Sequence, residues 1–443
     1  MQSYKKIKII GGGLAGVEAA WQVALHKIPV EIYEMRPIVM GPVHKTGYLA
    51  ELVCSNSFKS VELTNASGLL KKEMEMLNSL IIKVAEETKI PAGVALTVDR
   101  ELFSKRIEEI LKKHPMVTII REEVKEIPVD GIVIVATGPL TSMSFFNHLR
   151  EILQNDSLYF CDAVSPIVYA DTIDFNKIFT GSRYKKGEEA YLNCPFTKEE
   201  YERFVNELIK GECVKSHLEG EERFFEGCLP IEEVARRGID TLRFGPMKPV
   251  GLLDPRTKKL PYAVVQLRPE NLQKSLYSMV GFQTRLKFSE QKRIFRMVPG
   301  LENAEFARYG VMHRNTYFYA PKFLKPTLQF VNDCRLFFAG QLIGVEGYLE
   351  SAATGIIAGM NAARLATGKP LVTLPPTTMI GALCAYVSTL VPKDNYQPMN
   401  ANFGILQPLE KKVKGRFLKN KMLAERSLNV LKGIIQNLDL DNL

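Results

Sequence analysis

The spacing of apolar positions changes along the chain, and the changes mark out its elements. Ile7-Lys8-Ile9-Ile10 is a short apolar run, as a strand buried on both faces requires. It passes through Gly11-Gly12-Gly13-Leu14-Ala15-Gly16 into Val17 to Ala24, which has helical spacing, and Pro29 to Tyr33 is a second strand. From Ser67 to Glu87 the residues Leu69, Leu70, Met74, Leu77, Leu80, Ile81 and Val84 recur at helical intervals and predict one amphipathic helix. Pro91-Ala92-Gly93 interrupts that pattern. Asp99 is placed to cap a helix running to Lys113, and Met116 to Ile120 reads as another strand. Two later strands end in small-residue turns: Gly131 to Val135 before Ala136-Thr137-Gly138-Pro139, and Leu336 to Phe338 before Ala339-Gly340-Gln341. A small-residue helix from Ser351 to Ala366 follows the second of them. Strands alternating with helices imply a mainly parallel sheet. Near the end, Leu423, Leu428, Leu431, Ile435 and Leu438 form one helical face expected to pack on that sheet, while Lys411, Lys412, Lys414, Arg416, Lys419 and Lys421 stay wet.

The stretch 184–304 differs in character, with frequent Pro, Gly and charged residues and only short apolar runs. It reads as a smaller inserted α+β domain, which divides the rest into 1–183 and 305–443. A length of 443 residues accords with two or three domains, and a 46% hydrophobic content is enough to give each a core. No run of about 18 apolar residues exists to span a bilayer, and Met1 to Lys6 lead straight into a strand, so no membrane contact is expected and the compartment is expected to be the cytoplasm. The seven cysteines lack any Cys-x-x-Cys spacing and read as reduced thiols; no metal site is expected. A net charge of +9 suits a polyanionic partner. Arg183-Tyr184-Lys185-Lys186, Arg236-Arg237, Arg256-Thr257-Lys258-Lys259 and Lys292-Arg293 set cations beside Tyr and Phe, as a phosphate track with base-stacking platforms needs; solvated charge is the plainer alternative.

The first turn carries the most specific chemistry. Gly11 permits a tight turn, Gly13 lets a pyrophosphate approach the backbone, and Gly16 lets helix and strand pack closely, so Gly11, Gly12, Gly13, Leu14, Ala15 and Gly16 form a dinucleotide cradle at a helix N-terminus. Glu34, eighteen residues after Gly16, is placed to bind a ribose hydroxyl pair, with Arg36 beside it. The turns at Thr137-Gly138 and at Gly340-Gln341 are where flavoproteins of the glutathione-reductase type carry the chain past FAD, and the late helix would point its N-terminus at the flavin. An acid commonly follows that last glycine; here it is Gln341. The expected fold is therefore α/β, a Rossmann-like FAD-binding domain with an insert. Cys54, among Leu52-Val53-Cys54-Ser55-Asn56-Ser57-Phe58-Lys59, reads either as a reactive thiol or as a small buried residue.

Taken together the motifs resemble a bacterial family, the folate- and FAD-dependent tRNA (uracil-5-)-methyltransferases. The resemblance covers almost the whole chain. It is carried by Gly11 to Ala20, Leu52 to Phe58, Phe225-Glu226-Gly227-Cys228-Leu229-Pro230-Ile231-Glu232, Met312-His313-Arg314-Asn315-Thr316 and Ala339 to Tyr348. It implies FAD, methylenetetrahydrofolate as carbon donor, a reduced nicotinamide (NADH or NADPH) as electron source, and the T-loop uridine of tRNA, uridine 54, as substrate.

The same resemblance implies two catalytic thiols. Carbon 5 of uracil is a poor nucleophile until a thiolate adds at carbon 6. Cys228 matches the family's attacking cysteine, and Cys54 the one beside the flavin, a candidate base for the carbon 5 proton. His313 and Arg314 match positions lining the folate or flavin. Three alternatives use parts of the same pattern. The flavoprotein that modifies the tRNA wobble uridine shares the N-terminal motifs, but is expected to carry a longer C-terminal domain. A related enzyme acting on a ribosomal RNA uridine would share the chemistry. A plain flavin oxidoreductase explains the glycines, but not the cysteine motifs.

Overall fold

Ile7, Ile9 and Ile10 are buried because their strand, Ile7–Ile10, is the centre of a five-stranded parallel sheet. Ile9 faces Ile32 on one side and Ile134 on the other, so the apolar run needs no polar alternation. The order across the sheet is Leu336–Phe338, Ile132–Val135, Ile7–Ile10, Val30–Glu34, Val117–Arg121. This is the parallel sheet expected from alternating strands and helices. The computed structural model describes residues 6–154, 157–163, 165–183, 191–214, 229–393 and 396–437; the side chains of 157–163 and 312–314 are not described.

Two helices pack face to face beside this sheet. The glycine-loop helix, Leu14–Leu25, and the late helix, Tyr348–Ala366, approach so closely that a Cβ on Gly355 would lie 2.2 Å from Ala15 O, and one on Gly359 2.4 Å from Ala19 O. Small residues along both helices are what permit this approach. Both N-termini therefore end near one place, beside the strand ends.

The helix expected over 67–87 is instead two helices, Ala66–Met76 and Leu80–Glu87. Asn78 adopts φ +57, a left-handed conformation Asn tolerates, and Ser79 caps the second helix by accepting from Ile82 N at 3.1 Å. The break is held from outside by buried Glu18, which accepts from Ile81 N at 2.8 Å and from the Ser79 hydroxyl. The C-terminal helix, Arg416–Asn437, packs on helix Ala66–Met76 rather than on the sheet. Its Ser427 hydroxyl donates to buried Glu73, and Asn420 Nδ2 donates to Thr64 O at 3.0 Å. Leu423, Leu431 and Ile435 are its buried apolar face, with Leu428 partly buried; Leu438 lies outside the described residues.

A second core forms on a six-stranded antiparallel sheet ordered Phe179–Thr180, Leu192–Phe196, Ala263–Pro269, Leu276–Met279, Ile167–Tyr169, Phe306–Arg308. Helix Lys198–Lys210 covers it, with Tyr201, Phe204, Val205 and Leu208 buried. This sheet reaches past 184–304 at both ends, through Ile167–Tyr169 and Phe306–Arg308, because strand edges left by the central hairpins must be paired. Antiparallel strands Ser157–Ala163 and Met312–Phe318 lie beside those two strands in the chain and pair with each other. Among the described residues no helix is long and apolar enough to cross a membrane.

Candidate active site

The glycine turn makes a cradle with one open side. Gly11 has φ +103, and a Cβ there would meet Ala136 O at 2.5 Å; on Gly16 it would lie 1.9 Å from Gly11 O. Nothing lies within 4 Å of a Cβ built on Gly13, the residue just before the helix, so that backbone faces free space. This is room for a phosphate at a helix N-terminus. Leu14 and Ala15 are buried behind the cradle. The cleft continues past Tyr33, Glu34 and Arg36, and along Thr137, Leu140 and Thr141.

Glu34 is 4% exposed and already well bonded. Its carboxylate accepts from Gly12 N at 2.9 Å, Arg36 N at 3.0 Å, Arg36 Nε at 2.8 Å and Arg36 Nη2 at 3.2 Å. Burial alone would push this carboxyl up, but the hydrogen bonds and charge of Arg36, with the Arg36 and Gly12 amides, hold it below the usual carboxylate range. Arg36 also donates to Glu51 at 3.1 Å, which ties the Glu34 end of the cleft to the loop before Cys54.

Leu140 lines a second cavity as well, of about 350 Å³, so the two spaces are neighbours on either side of that residue. Cys54 lies in this second cavity. Its loop is held on every side by backbone hydrogen bonds. The Tyr348 hydroxyl accepts from Cys54 N at 2.8 Å and Ser55 N at 3.0 Å. Arg308 donates to Val53 O at 3.0 Å and Cys54 O at 3.3 Å, and Arg100 donates to Leu52 O. Arg268 donates to Ser55 Oγ and Asn56 Oδ1, both at 2.9 Å. Buried Asn56 donates to Val98 O at 3.0 Å and Pro269 O at 3.1 Å. Residues from the second sheet and the late helix thus clamp a loop of the first domain.

The cavity wall carries both signs, Arg268 and Lys59 against Glu346 and Glu350, and further arginines hold the Cys54 loop from outside it. Arg100, Arg268 and Arg308 surround the loop, and Glu270, bound to Arg100 at 2.7 Å, is the acid paired among them. Burial would raise Glu270, yet the charges of Arg100 and Arg268 keep it low. Burial, and then the neighbouring charge of Arg100, lower the Arg308 guanidinium to about 10. The charge of a Cys54 thiolate stabilises the cations of Arg100 and Arg308.

The late helix closes the cavity from the far side. Gly340 has φ +84 and donates its N–H to Thr354 Oγ1 at 2.9 Å, which fixes the turn against that helix. Gln341 lines the cavity and donates to Glu346 at 2.7 Å. Gly347, Tyr348 and Glu350, at the helix start, line it too. Two buried oxygens in its wall have no hydrogen-bond partner among the described residues, Asn315 Oδ1 and Glu350 Oε2. Buried polar atoms are normally satisfied, so unpartnered ones in a cavity wall suit a polar ligand. With the open face of Gly13, this arrangement fits a dinucleotide whose ring system lies beside Cys54 and the late helix.

The structure brings Cys54, Gln341 and the late-helix N-terminus into one cavity, and Gly11, Gly12, Gly13, Glu34, Arg36 and Thr137 into a neighbouring one that shares Leu140 with it. Gly138, φ +70, has open space around it. His313 and Arg314 lie in strand Met312–Phe318 opposite Asp162 and Cys161, next to the cavity residue Asn315. Cys228 lies outside the described residues. On its C-terminal side the chain is anchored at the cavity rim, since Ile231 N donates to the cavity residue Gln283 through its carbonyl at 2.7 Å. Several of the basic clusters are paired with acids: Arg236 with Glu233, Arg256 with Asp254 at 2.7 Å, Arg293 with Glu290 at 2.8 Å. Residue-type reasoning missed Arg100, Arg268, Arg308 and Gln283. Tyr348 and Asn315 stand inside the motifs at Ala339 to Tyr348 and Met312 to Thr316.

The family described as "Glucose inhibited division protein A" (GIDA) matches residues 6–370. The chain is 75% identical over 432 residues to a protein of Dictyoglomus thermophilum named methylenetetrahydrofolate-tRNA-(uracil-5-)-methyltransferase TrmFO, covering 98% of each. It is 54% identical over 435 residues to the protein of the same name from Enterococcus faecalis, covering 98% of this chain and 100% of that one. Among solved structures, Aquifex aeolicus GidA in its form I crystal superposes with a TM-score of 0.71 at 19% identity, over 100% of this chain and 76% of the other. That likeness concerns the fold.

Proposed function

Because the chain belongs to the methylenetetrahydrofolate-tRNA-(uracil-5-)-methyltransferase family, we propose that it moves a one-carbon unit from methylenetetrahydrofolate to carbon 5 of a tRNA uracil and reduces it to methyl. The substrate base is the T-loop uridine, the compartment the cytoplasm, and a reduced nicotinamide restores the electrons. The observation that carries this reading is the clamped Cys54 loop. It lines a cavity that neighbours the glycine cradle at Leu140 and is bounded by the start of the late helix.

Gly11, Gly12 and Gly13 would hold the pyrophosphate of FAD, which when bound would supply the hydride that this reduction needs. The protein's own residues do the rest. The Cys228 thiolate adds to carbon 6 of uracil, which makes carbon 5 nucleophilic toward the methylene electrophile. Cys54 takes the carbon 5 proton as the bond between the carried carbon and the folate nitrogen breaks, which releases tetrahydrofolate and leaves an exocyclic methylene. Once that carbon is reduced, the bond from carbon 6 to Cys228 breaks and the thiolate leaves. The Tyr348 hydroxyl and the Arg308 guanidinium fix the Cys54 backbone from opposite sides, through its N–H and its C=O, so its sulfur is positioned before substrate arrives. Arg100 and Arg308 stabilise negative charge at that sulfur. His313 and Arg314 line the folate or the flavin.

Two measurements test this. Unmodified tRNA and ribosomal RNA transcripts, offered with labelled methylenetetrahydrofolate or labelled S-adenosylmethionine, should acquire label from the folate and on tRNA. Label from S-adenosylmethionine would overturn the donor. Cys228→Ala should stay folded and yellow yet fail to trap a 5-fluorouridine tRNA covalently; normal trapping would remove Cys228 from the attack on carbon 6.

A further inference from the structure

Helix Phe288–Phe295 has two unlike faces. Gln291, Ile294 and Phe295 are buried, whereas Phe288 is 54% exposed. Phe288 is not a loose side chain. Its ring stacks on Tyr309 with centroids 4.9 Å apart and planes 19° apart, and Tyr309 stacks on Phe306 at 5.1 Å and 22°. Phe306 in turn rests on buried Phe295. Tyr309 is held in place by its neighbours: Gln291 clasps Gly310, accepting from its N–H at 2.7 Å and donating to its carbonyl at 2.8 Å, and Arg308 reaches the carbonyls of Val53 and Cys54. The result is a rigid three-ring ladder beginning beside the Cys54 loop and ending in an exposed ring. Isolated exposed apolar residues are ordinary; a ring held in plane by two others, with its outer side open, is preorganised for stacking.

Its surroundings suit a nucleotide. Lys292, one turn along on the same helix face, is exposed, while Lys287 before the ring is ion-paired with Glu212. On the Cys54 side, exposed Lys45 lies in the field of Arg308 and Arg100. Gln283, five residues before Phe288, lines the cavity itself. An aromatic face flanked by cations is the platform that proteins offer to an unpaired base and its phosphate.

We propose that the outer face of Phe288 stacks an unpaired base of the tRNA neighbouring the uridine that is methylated, with Lys292 meeting its phosphate. The proposal rests on the tRNA-methylating function above and adds the surface that presents the loop to the cavity.

The test uses the full-length, FAD-loaded protein. Phe288→Ala should raise KM for an unmodified tRNA transcript about tenfold, within the range for loss of one base–aromatic stack, while reduction of the flavin by nicotinamide without tRNA stays unchanged. Phe288→Trp should restore KM. Its indole fluorescence should be quenched by tRNA, with the wild type, which has Trp21 as its one tryptophan, as the blank. An unchanged KM in Phe288→Ala, or a raised KM that Phe288→Trp does not restore, would overturn the platform. If the wild type itself transfers no methyl group to tRNA, the functional reading fails separately, and the quenching titration decides the platform alone: no quenching refutes it.

Discussion

Replacing Gly355 by Ala tests whether the two helix N-termini are held in register by backbone contact. A Cβ on Gly355 would lie 2.2 Å from Ala15 O and 2.9 Å from Ala15 C and Cα. Ordinary contact begins near 3.4 Å, so the late helix would have to move about 1.2 Å away from the glycine-loop helix. No flexible side chain can absorb this, because the opposing atoms are backbone. Overpacking of this kind costs about 3 kcal/mol, enough to lower Tm by several degrees. The displacement also shifts the phosphate cradle relative to Tyr348 and Gly347. Gly355→Ala should therefore emerge from gel filtration with little FAD absorbance per protein, as well as a lower Tm. Gly433→Ala is the control. Gly433 lies inside helix Arg416–Asn437, and a Cβ there meets nothing within 4 Å. Ala should stabilise that helix by about 0.5–1 kcal/mol and leave FAD untouched. If Gly355→Ala keeps both its Tm and its flavin, or if the two variants behave alike, close helix approach does not set the site.

Tyr348→Phe removes the acceptor for the Cys54 and Ser55 amides. The loop should lose about 2 kcal/mol of local stability, seen as faster hydrogen exchange at those two amides, and kcat should fall with the flavin retained. Protected amides and a wild-type kcat would take Tyr348 out of this role. Glu73 is buried, and desolvation pushes its carboxyl up to about 7 against the bonds from Ser427, Ile380 and Met379. Its folded pKa exceeds the unfolded value near 4.5, so stability falls as pH rises from about 4.5 to about 7 and is flat in this term above that. Glu73→Gln should be less stable overall, since an amide cannot accept on both sides. Denaturant titrations across that window should show a smaller decline for the variant than for wild type; an equal slope would mean Glu73 does not titrate there.

Local pattern made much of the fold legible. The strands around Ile9, Ile134 and Phe337 are short apolar runs ending in glycine turns, and both the run and the turn are written in adjacent residues. Asp99 capping its helix by accepting from Leu102 N at 3.1 Å is of the same kind. Even the break at Asn78-Ser79 had its signal in those two residues, which the continuous apolar spacing from Leu69 to Val84 obscured. The C-terminal helix was visible as a helix, but the element it packs on was not. Buried Glu73 of helix Ala66–Met76 receives the Ser427 hydroxyl from 354 positions away.

For the site the division is sharper. The roles of Cys54 and Cys228 came from the family resemblance. The cradle glycines could be found by residue type, because a backbone needing positive φ or close approach admits little besides glycine. What surrounds Cys54 could not. Arg308 is 254 positions from the carbonyl it holds, Arg268 213 from Ser55, and Tyr348 294 from Cys54. Arg and Tyr occur throughout the chain, and nothing in their immediate neighbours says which carbonyl or amide each will meet. Periodicity and turn chemistry act over one or two turns of chain, so they determined the elements and the cofactor turns. Which side chains converge on the sulfur depended on how the second sheet and the late helix pack against the first domain, and only the tertiary structure decides that.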